Sequence, residues 1–443
     1  MDFQAFNEKV MNLASDLGAE QCEVISHTGS SLSLQTAKGE IDQHTVSQTH
    51  VCGIRVIKDE KVGYSSTESL TEGNLKHMVT EALNNAVLGI ASPYQNISAQ
   101  GPAITETHQK LYPEDNTPLE AKIDLAIKLE KKVLEFDTRI KNAPYNQYTE
   151  GKKKSFYLNH HGTIRESKLK TAVCYTTALS GTAGRESMFF GKSIAHQFKD
   201  LDPDHCIYEA AHNSLRLLEA KPIPTGKYDI VFTLDPWSQL FQAFTSVFSG
   251  KSIMEGKSNL DQKIGTEIGS SLLNIRDEPR YENGFNHLKF DGEGFETESF
   301  ALIENGILNG LFHNSETSSY LKAQNTFHGR RSPKSKLGVG PHQLVVGKGL
   351  TPENEIKKGP FLEVLTLKGL HSGVNPITGN FSLPAEAIYH DGNEQMVKGI
   401  TISANFFDLL NQISAIGDIE HPNSDNSFFS PLIRFSEVSV AGC

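Results

Sequence analysis

This sequence predicts an α+β fold: an N-terminal sandwich-like region of antiparallel sheets and helices, followed by a β-rich C-terminal domain. Three observations carry that expectation. Apolar residues recur at helical spacing in separate segments, first at Phe3, Phe6, Val10, Leu13 and Leu17, then at Leu75, Val79, Ala82, Leu83 and Ala86, and again at Ile123, Ala126, Leu129, Val133 and Leu134. Runs rich in β-formers lie between them, bounded by turn residues. From Gly269 to Gly379 short β-runs are punctuated by glycine too often for long helices to form.

Taken in order, the first helix ends at Gly18, and four strands follow at 23–27, 31–35, 41–57 and 62–66. Thr28-Gly29, Lys38-Gly39 and Lys58-Asp59-Glu60 are the turns expected between them. A second helix completes an α-β-β-β-β-α unit. Residues 89–117 hold Pro93, Pro102 and Pro113 with little periodicity, which marks a surface connector and a sub-boundary. Thr117, Pro118 and Glu120 read as a capping box opening the third helix. Strands resume between 139 and 191, and Asp202-Pro203 starts a helix that Lys221-Pro222-Ile223-Pro224 breaks. That break divides the chain into an N-terminal α+β domain, 1–220, and a β-rich C-terminal domain, 221–443. After a strand at 228–233, Asp235-Pro236 repeats the cap-plus-proline pattern before a helix carrying Leu240, Phe241, Phe244, Val247 and Phe248 and ending at Gly250.

The 443 residues carry 42 Lys and Arg against 53 Asp and Glu, a net charge of -11, which gives no general attraction to a phosphate backbone. Direct nucleic-acid binding is therefore not expected. No apolar run reaches the roughly 18 residues of a membrane span, and the first residues lack an export signal, so a cytoplasmic, membrane-free protein is expected. Cys22, Cys52, Cys174, Cys206 and Cys443 are odd in number and scattered, which suits reduced, buried thiols.

Motifs for common chemistries are missing. The chain has no H-E-x-x-H, no phosphate loop and no G-x-S-x-G. His205, Glu209 and His212 share a helix face and are the nearest approach to a ligand trio, with a solvated ion pair as the simpler reading. The basic runs Lys152-Lys153-Lys154 and Arg330-Arg331-Ser332-Pro333-Lys334 read as solvated turns, the alternative being a surface for an acidic ligand or partner. The most unusual segment is residues 370–382, where glycine, Asn-Pro and hydroxyl side chains crowd into one loop. His371, Ser372, Gly373 and Asn375 are its candidate substrate-binding residues, and a purely structural turn is the competing reading.

The same loop, H-S-G-V-N-P-I-T-G-N-F-S-L-P-A-E at 371–386, resembles a hallmark of the TldD/PmbA family, which older names call modulators of DNA gyrase, and in particular of its PmbA (TldE) branch. Residues 402–410, 415–417, the F-D-G-E-G at 290–294 and segments at 53–56 and 62–66 extend the resemblance along the whole chain. It implies a metalloprotease assembly in which a TldD-type subunit binds zinc through H-E-x-x-x-H and a distant cysteine, and a PmbA-type subunit pairs with it. At the metal-motif position this chain reads Leu240-Phe241-Gln242-Ala243-Phe244-Thr245-Ser246-Val247, and Ser427 to Pro431 contain no cysteine. The resemblance thus implies a non-catalytic subunit without catalytic residues, metal or cofactor of its own, with zinc in a TldD-type partner and peptides as substrates. The alternative is a stand-alone homodimer that binds peptides or acts like a chaperone.

Overall fold

A computed structural model describes residues 3–442 except Thr107 and Ala183, and Cys443 lies outside the described residues. The first half runs α1 (Phe3–Asp16), β1 (Gln21–Ala37), β2 (Glu40–Lys58), β3 (Lys61–Thr67), α2 (Glu72–Val87), β4 (Ile104–Thr105), α3 (Leu119–Phe136), β5 (Ile140–Asn142), β6 (Asn146–Asn159), β7 (Ile164–Thr182), β8 (Arg185–Ala195) and α4 (Pro203–Leu218). Its strands form one eight-stranded sheet in the order β3-β2-β1-β6-β7-β4, with β5 and β8 also paired to β7. Alternation along the strands assigns the two faces. Val24, Ile54, Val56, Phe156 and Leu158 pack under α1 and α2, while Leu34, Tyr148, Ala172 and Cys174 pack under α3 and α4. Glu23, Arg55 and Tyr157, offset by one residue from those core positions, lie on the face turned toward the second half of the chain.

The second half runs β9 (Gly226–Phe232), α5 (Leu234–Phe244), α6 (Gly250–Met254), β10 (Ile275–Asp277), β11 (Phe300–Glu304), β12 (Ile307–Leu308), α7 (Ser315–Leu321), β13 (Gly329–Arg330), β14 (Gly338–Val339), β15 (Leu344–Val346), α8 (Glu353–Ile356), β16 (Phe361–Leu367), α9 (Leu370–Gly373), β17 (Val374–Asn375), β18 (Asn380–His390), β19 (Glu394–Asn405), α10 (Phe406–Asn411), β20 (Ile413–Pro422) and β21 (Phe428–Ala441). The order β12-β11-β10-β15-β21-β19-β18-β16-β9, with β17 also paired to β18 and β20 to β21, defines an eleven-stranded mixed sheet. Because β9 pairs with both β16 and β21, the path from β21 through β19, β18 and β16 returns to its start. Trp237, Phe241 and Phe244 of α5 pack with Phe381, Phe406, Phe428 and Phe435 in the largest core of the molecule. The α+β class expected from the sequence is the class observed, and Cys22, Cys52, Cys174 and Cys206 are free and buried.

Several local expectations fail, among them the turn at Lys152, Lys153 and Lys154, which lie within β6. Thr28-Gly29 makes no turn, because Gly29 is paired on both sides, with Thr49 and Lys153, inside one continuous β1. A Cβ at Gly29 would stand 2.6 Å from the Lys152 carbonyl oxygen, so glycine here permits close approach of strands and does not reverse the chain. The residue at the N-terminal boundary of α3 is Pro118, not Thr117, and no side chain caps it. Thr233 precedes α5, and Asp235 instead accepts a hydrogen bond from the Ser424 amide at 2.8 Å, tying the helix to a distant loop. The helix also stops at Phe244. A tighter turn over Thr245–Phe248 follows, and the Ser249 hydroxyl starts α6 by accepting from the Lys251 amide at 3.1 Å.

Candidate functional site

The loop singled out in the sequence is a braced turn beside α5. The Asn375 side-chain oxygen accepts from the amides of Ile377 and Thr378 at 3.1 and 3.2 Å, the local bonding for which asparagine is favoured in turns. Asn405 donates to the Thr378 carbonyl at 2.8 Å, and the Phe406 amide donates to the Gly379 carbonyl at 2.7 Å. Phe381 at the loop's end lies 6.3 Å, ring to ring, from Phe244. His371, Ser372 and Asn375 are exposed and Gly373 is half-buried. The Asn375 oxygen is thus engaged within the loop, whereas the His371 imidazole has no hydrogen-bond partner among the described residues and remains open to a ligand.

A second group of polar side chains is buried where the two sheets meet. Glu23 accepts from Arg55 at 3.1 Å, from Arg331 at 2.6 Å and from the Tyr157 hydroxyl at 2.8 Å. Burial alone would raise its carboxyl pKa, but the two guanidinium groups and the hydroxyl outweigh that and hold it below the ordinary value. Arg55 also donates to Gln95 at 2.7 Å, and Arg331 lies over the Tyr64 ring. The F-D-G-E-G segment joins this region. Asp291 accepts from the amides of Glu293, Phe295 and Gly329, while Glu293 accepts from the amide and hydroxyl of Ser315 at the start of α7. Burial, followed by the Glu293 charge, pushes the Asp291 carboxyl well up; burial likewise raises Glu293. The paired carboxyls therefore resist double ionisation.

Asp277, His328 and His342 form the third group, and among the described residues theirs is the donor set that could surround a metal ion. Its atoms are already engaged. Asp277 is 2.8 Å from His328 Nε2 and accepts from the amides of His342 and Gln343, His328 Nδ1 is 2.9 Å from the Thr326 hydroxyl, and His342 Nε2 donates to the Phe327 carbonyl at 2.8 Å. With Asp277 and His328 fully buried, the set acts as a brace holding residues 326–343 to β10. The helical trio proves looser: His205 lies 3.8 Å from Glu209, and His212 stacks on Tyr208, so no ligand set forms.

Comparison with known proteins decides the family. Three models match in succession: PmbA/TldA metallopeptidase domain 1 over residues 22–86, the central domain over 112–218 and the C-terminal domain over 225–442. The chain belongs to the PmbA/TldD family. It is 24% identical to the metalloprotease PmbA of Escherichia coli O157:H7 over 98% of this chain and 96% of that one. Among solved structures, one from Thermotoga maritima described as a proposed modulator of a DNA gyrase superposes with a TM-score of 0.87 at 25% identity, covering 99% of this chain and all of that one. TldE from Thermococcus kodakarensis shares the fold, with a TM-score of 0.83 at 20% identity over 99% of this chain and the whole of its own.

Family members named metalloproteases imply a metal, and the residues at the expected position, at the end of α5 and in the turn after it, do not fit one. Phe241 is buried in the aromatic core, Gln242 offers only a neutral amide, and the Thr245 hydroxyl donates to the Gln242 carbonyl at 2.8 Å. No imidazole, thiol or glutamate stands among them, and the buried Ser430 hydroxyl donates to the Pro431 carbonyl. Among the described residues no helix is long and apolar enough to cross a membrane.

The sequence reading missed the buried ionic group. Arg331, expected on a solvated turn, is instead fully buried against Glu23 because the 326–343 segment is drawn between the sheets. A signal was present, since Glu23 and Arg55 are single charges within apolar strand segments, a pattern that demands a buried partner.

Proposed function

We propose that this chain is the PmbA/TldE-like, non-catalytic subunit of a TldD/TldE-type zinc protease that processes peptides, with zinc supplied by a TldD-type partner. The observation that carries this reading is α5 and the turn after it, whose aromatic face is committed to the core and whose Gln242 and Thr245 cannot replace imidazoles at zinc. A subunit of this kind contributes surfaces and no activated water. The loop bearing His371 and Asn375 lies beside that helix, where it would face substrate in the assembled pair.

The test is co-expression with a zinc-binding family homologue. The two should purify together, with chelator-sensitive peptidase activity in the pair, and with neither activity nor stoichiometric zinc in this chain alone. About one tightly held zinc per isolated chain, or full peptidase activity without the partner, overturns the reading.

A further inference from the structure

The two basic runs of the sequence, about 180 positions apart, meet across one cleft. This cavity of about 500 Å³ opens between the N-terminal sheet and the 286–342 region of the second half. His27 of β1, Lys153 and Ser155 of β6 and Ser167 of β7 line one wall. Arg330, Arg331, Ser332, Ser335 and His342 line the other. Register explains the first wall: Ser155 is paired with both His27 and Ser167, and Lys153 lies two residues along the same strand, on the same face.

The charge balance of the cleft is the opposite of the chain's. Lys153, Lys168 and Arg330 line it, and none of them pairs with a carboxylate among the described residues. Desolvation in the cleft, followed by the facing Arg330 guanidinium, lowers the Lys153 ammonium pKa, and burial and Lys153 in turn hold His27 at about 3. The two acids on the walls are already engaged. Glu106 pairs with His287 at 3.1 Å and Lys289 at 3.7 Å, and Asp291 accepts three backbone amides. Arg331, fully buried on the same wall, keeps its Nε and Nη2 without hydrogen-bond partners. Like charges presented from two separate parts of the fold, in a net acidic protein with many carboxylates to spare, leave a site short of an anion.

We infer that this cleft binds the carboxylate side chains of an acidic peptide segment, with Lys153 and Arg330 as the principal contacts. The choice of peptide rests on the peptide-processing reading above. Arginine's planar fork suits a carboxylate, lysine adds a mobile point charge, and the hydroxyls of Ser155, Ser167, Ser332 and Ser335 can meet the N–H and C=O groups of an extended backbone. The cavity also falls within the usual size of a ligand site.

Fluorescence anisotropy on the full chain tests this, using a labelled ten-residue peptide rich in Asp and Glu and its Asn/Gln counterpart, with inorganic phosphate as competitor. The acidic peptide should bind at least about tenfold more tightly at low salt and weaken as salt rises. The double variant K153A/R330A should lose about tenfold or more of that affinity with its melting temperature unchanged, since neither side chain makes an ion pair among the described residues. Equal binding of the two peptides, full affinity in the double variant, or stronger binding of phosphate than of peptide would each overturn the inference. Because the measurement needs only this chain, co-purification of a zinc partner alongside failed peptide binding rejects the cleft and spares the subunit reading, and the reverse result does the opposite.

Discussion

Arg331 and Glu23, 308 positions apart, meet at 2.6 Å between guanidinium Nη1 and carboxylate Oε1, with both side chains withdrawn from solvent. Arg55 reaches the same carboxylate oxygen from the neighbouring strand. The contact joins the two halves of the protein through charge, where most of the fold is held by apolar packing.

Removing Arg331 takes one of two guanidinium partners from a buried carboxylate that keeps Arg55 and Tyr157. Arg331→Met should therefore cost about 2 kcal/mol of stability, the worth of a hydrogen bond to a charged group. Lysine at 331 should recover only part, because a point charge cannot reproduce the guanidinium fork. Urea unfolding of the full chain provides the measure, and a loss below about 1 kcal/mol would show that the pair contributes little to the junction.

Stability should also fall in mild acid. Burial holds His313 and His342 at about 4 and His27 at about 3, all below the ordinary imidazole value. Protons then bind the unfolded chain more readily than the folded one. These groups leave stability unchanged above about pH 7 and erode it as pH falls from about 6.5 toward 4. The buried His313 alone accounts for something on the order of 3 kcal/mol across that window. Glu23 and Asp277, held below their ordinary values against the cost of burial, stabilise above about pH 4, and that contribution is lost as pH falls through their lowered pKa values. A plot of melting temperature against pH should bend downward near 6.5, and His313→Gln should flatten that bend. A profile level from pH 7 to 4.5 would contradict the assignment.

The exposed loop separates binding from structure. His371→Ala should leave stability, pairing and zinc content unchanged while reducing peptide processing by the reconstituted pair. Asn375→Ala removes the acceptor for two amides and should cost about 1 kcal/mol in addition. Normal processing by the His371 variant would reduce the loop to a turn.

Local pattern was enough to read much of this protein. Spacing of apolar residues located α1 and α2, the Lys38-Gly39 and Lys58 to Glu60 turns were where their composition put them, and Asp202 caps α4 by accepting from the His205 amide. The missing imidazoles of α5 and the unusual loop at 371–382 were equally plain, because motif chemistry is written in consecutive residues.

What the tertiary structure alone decided depends on pairs distant in sequence. Gly29 stays inside a strand because partners on both sides claim it, and Asp235 leaves its expected capping role because Ser424 lies within reach. The basic run at 330–334 is divided by the fold: Arg331 enters the junction to meet Glu23, while its neighbour Arg330 faces Lys153 across the cleft. Sequence determines charge and periodicity residue by residue. Which charges are desolvated, and which face one another without a counterion, follows only once the sheets are brought together, because desolvation and Coulomb energies depend on distance and burial and not on order along the chain.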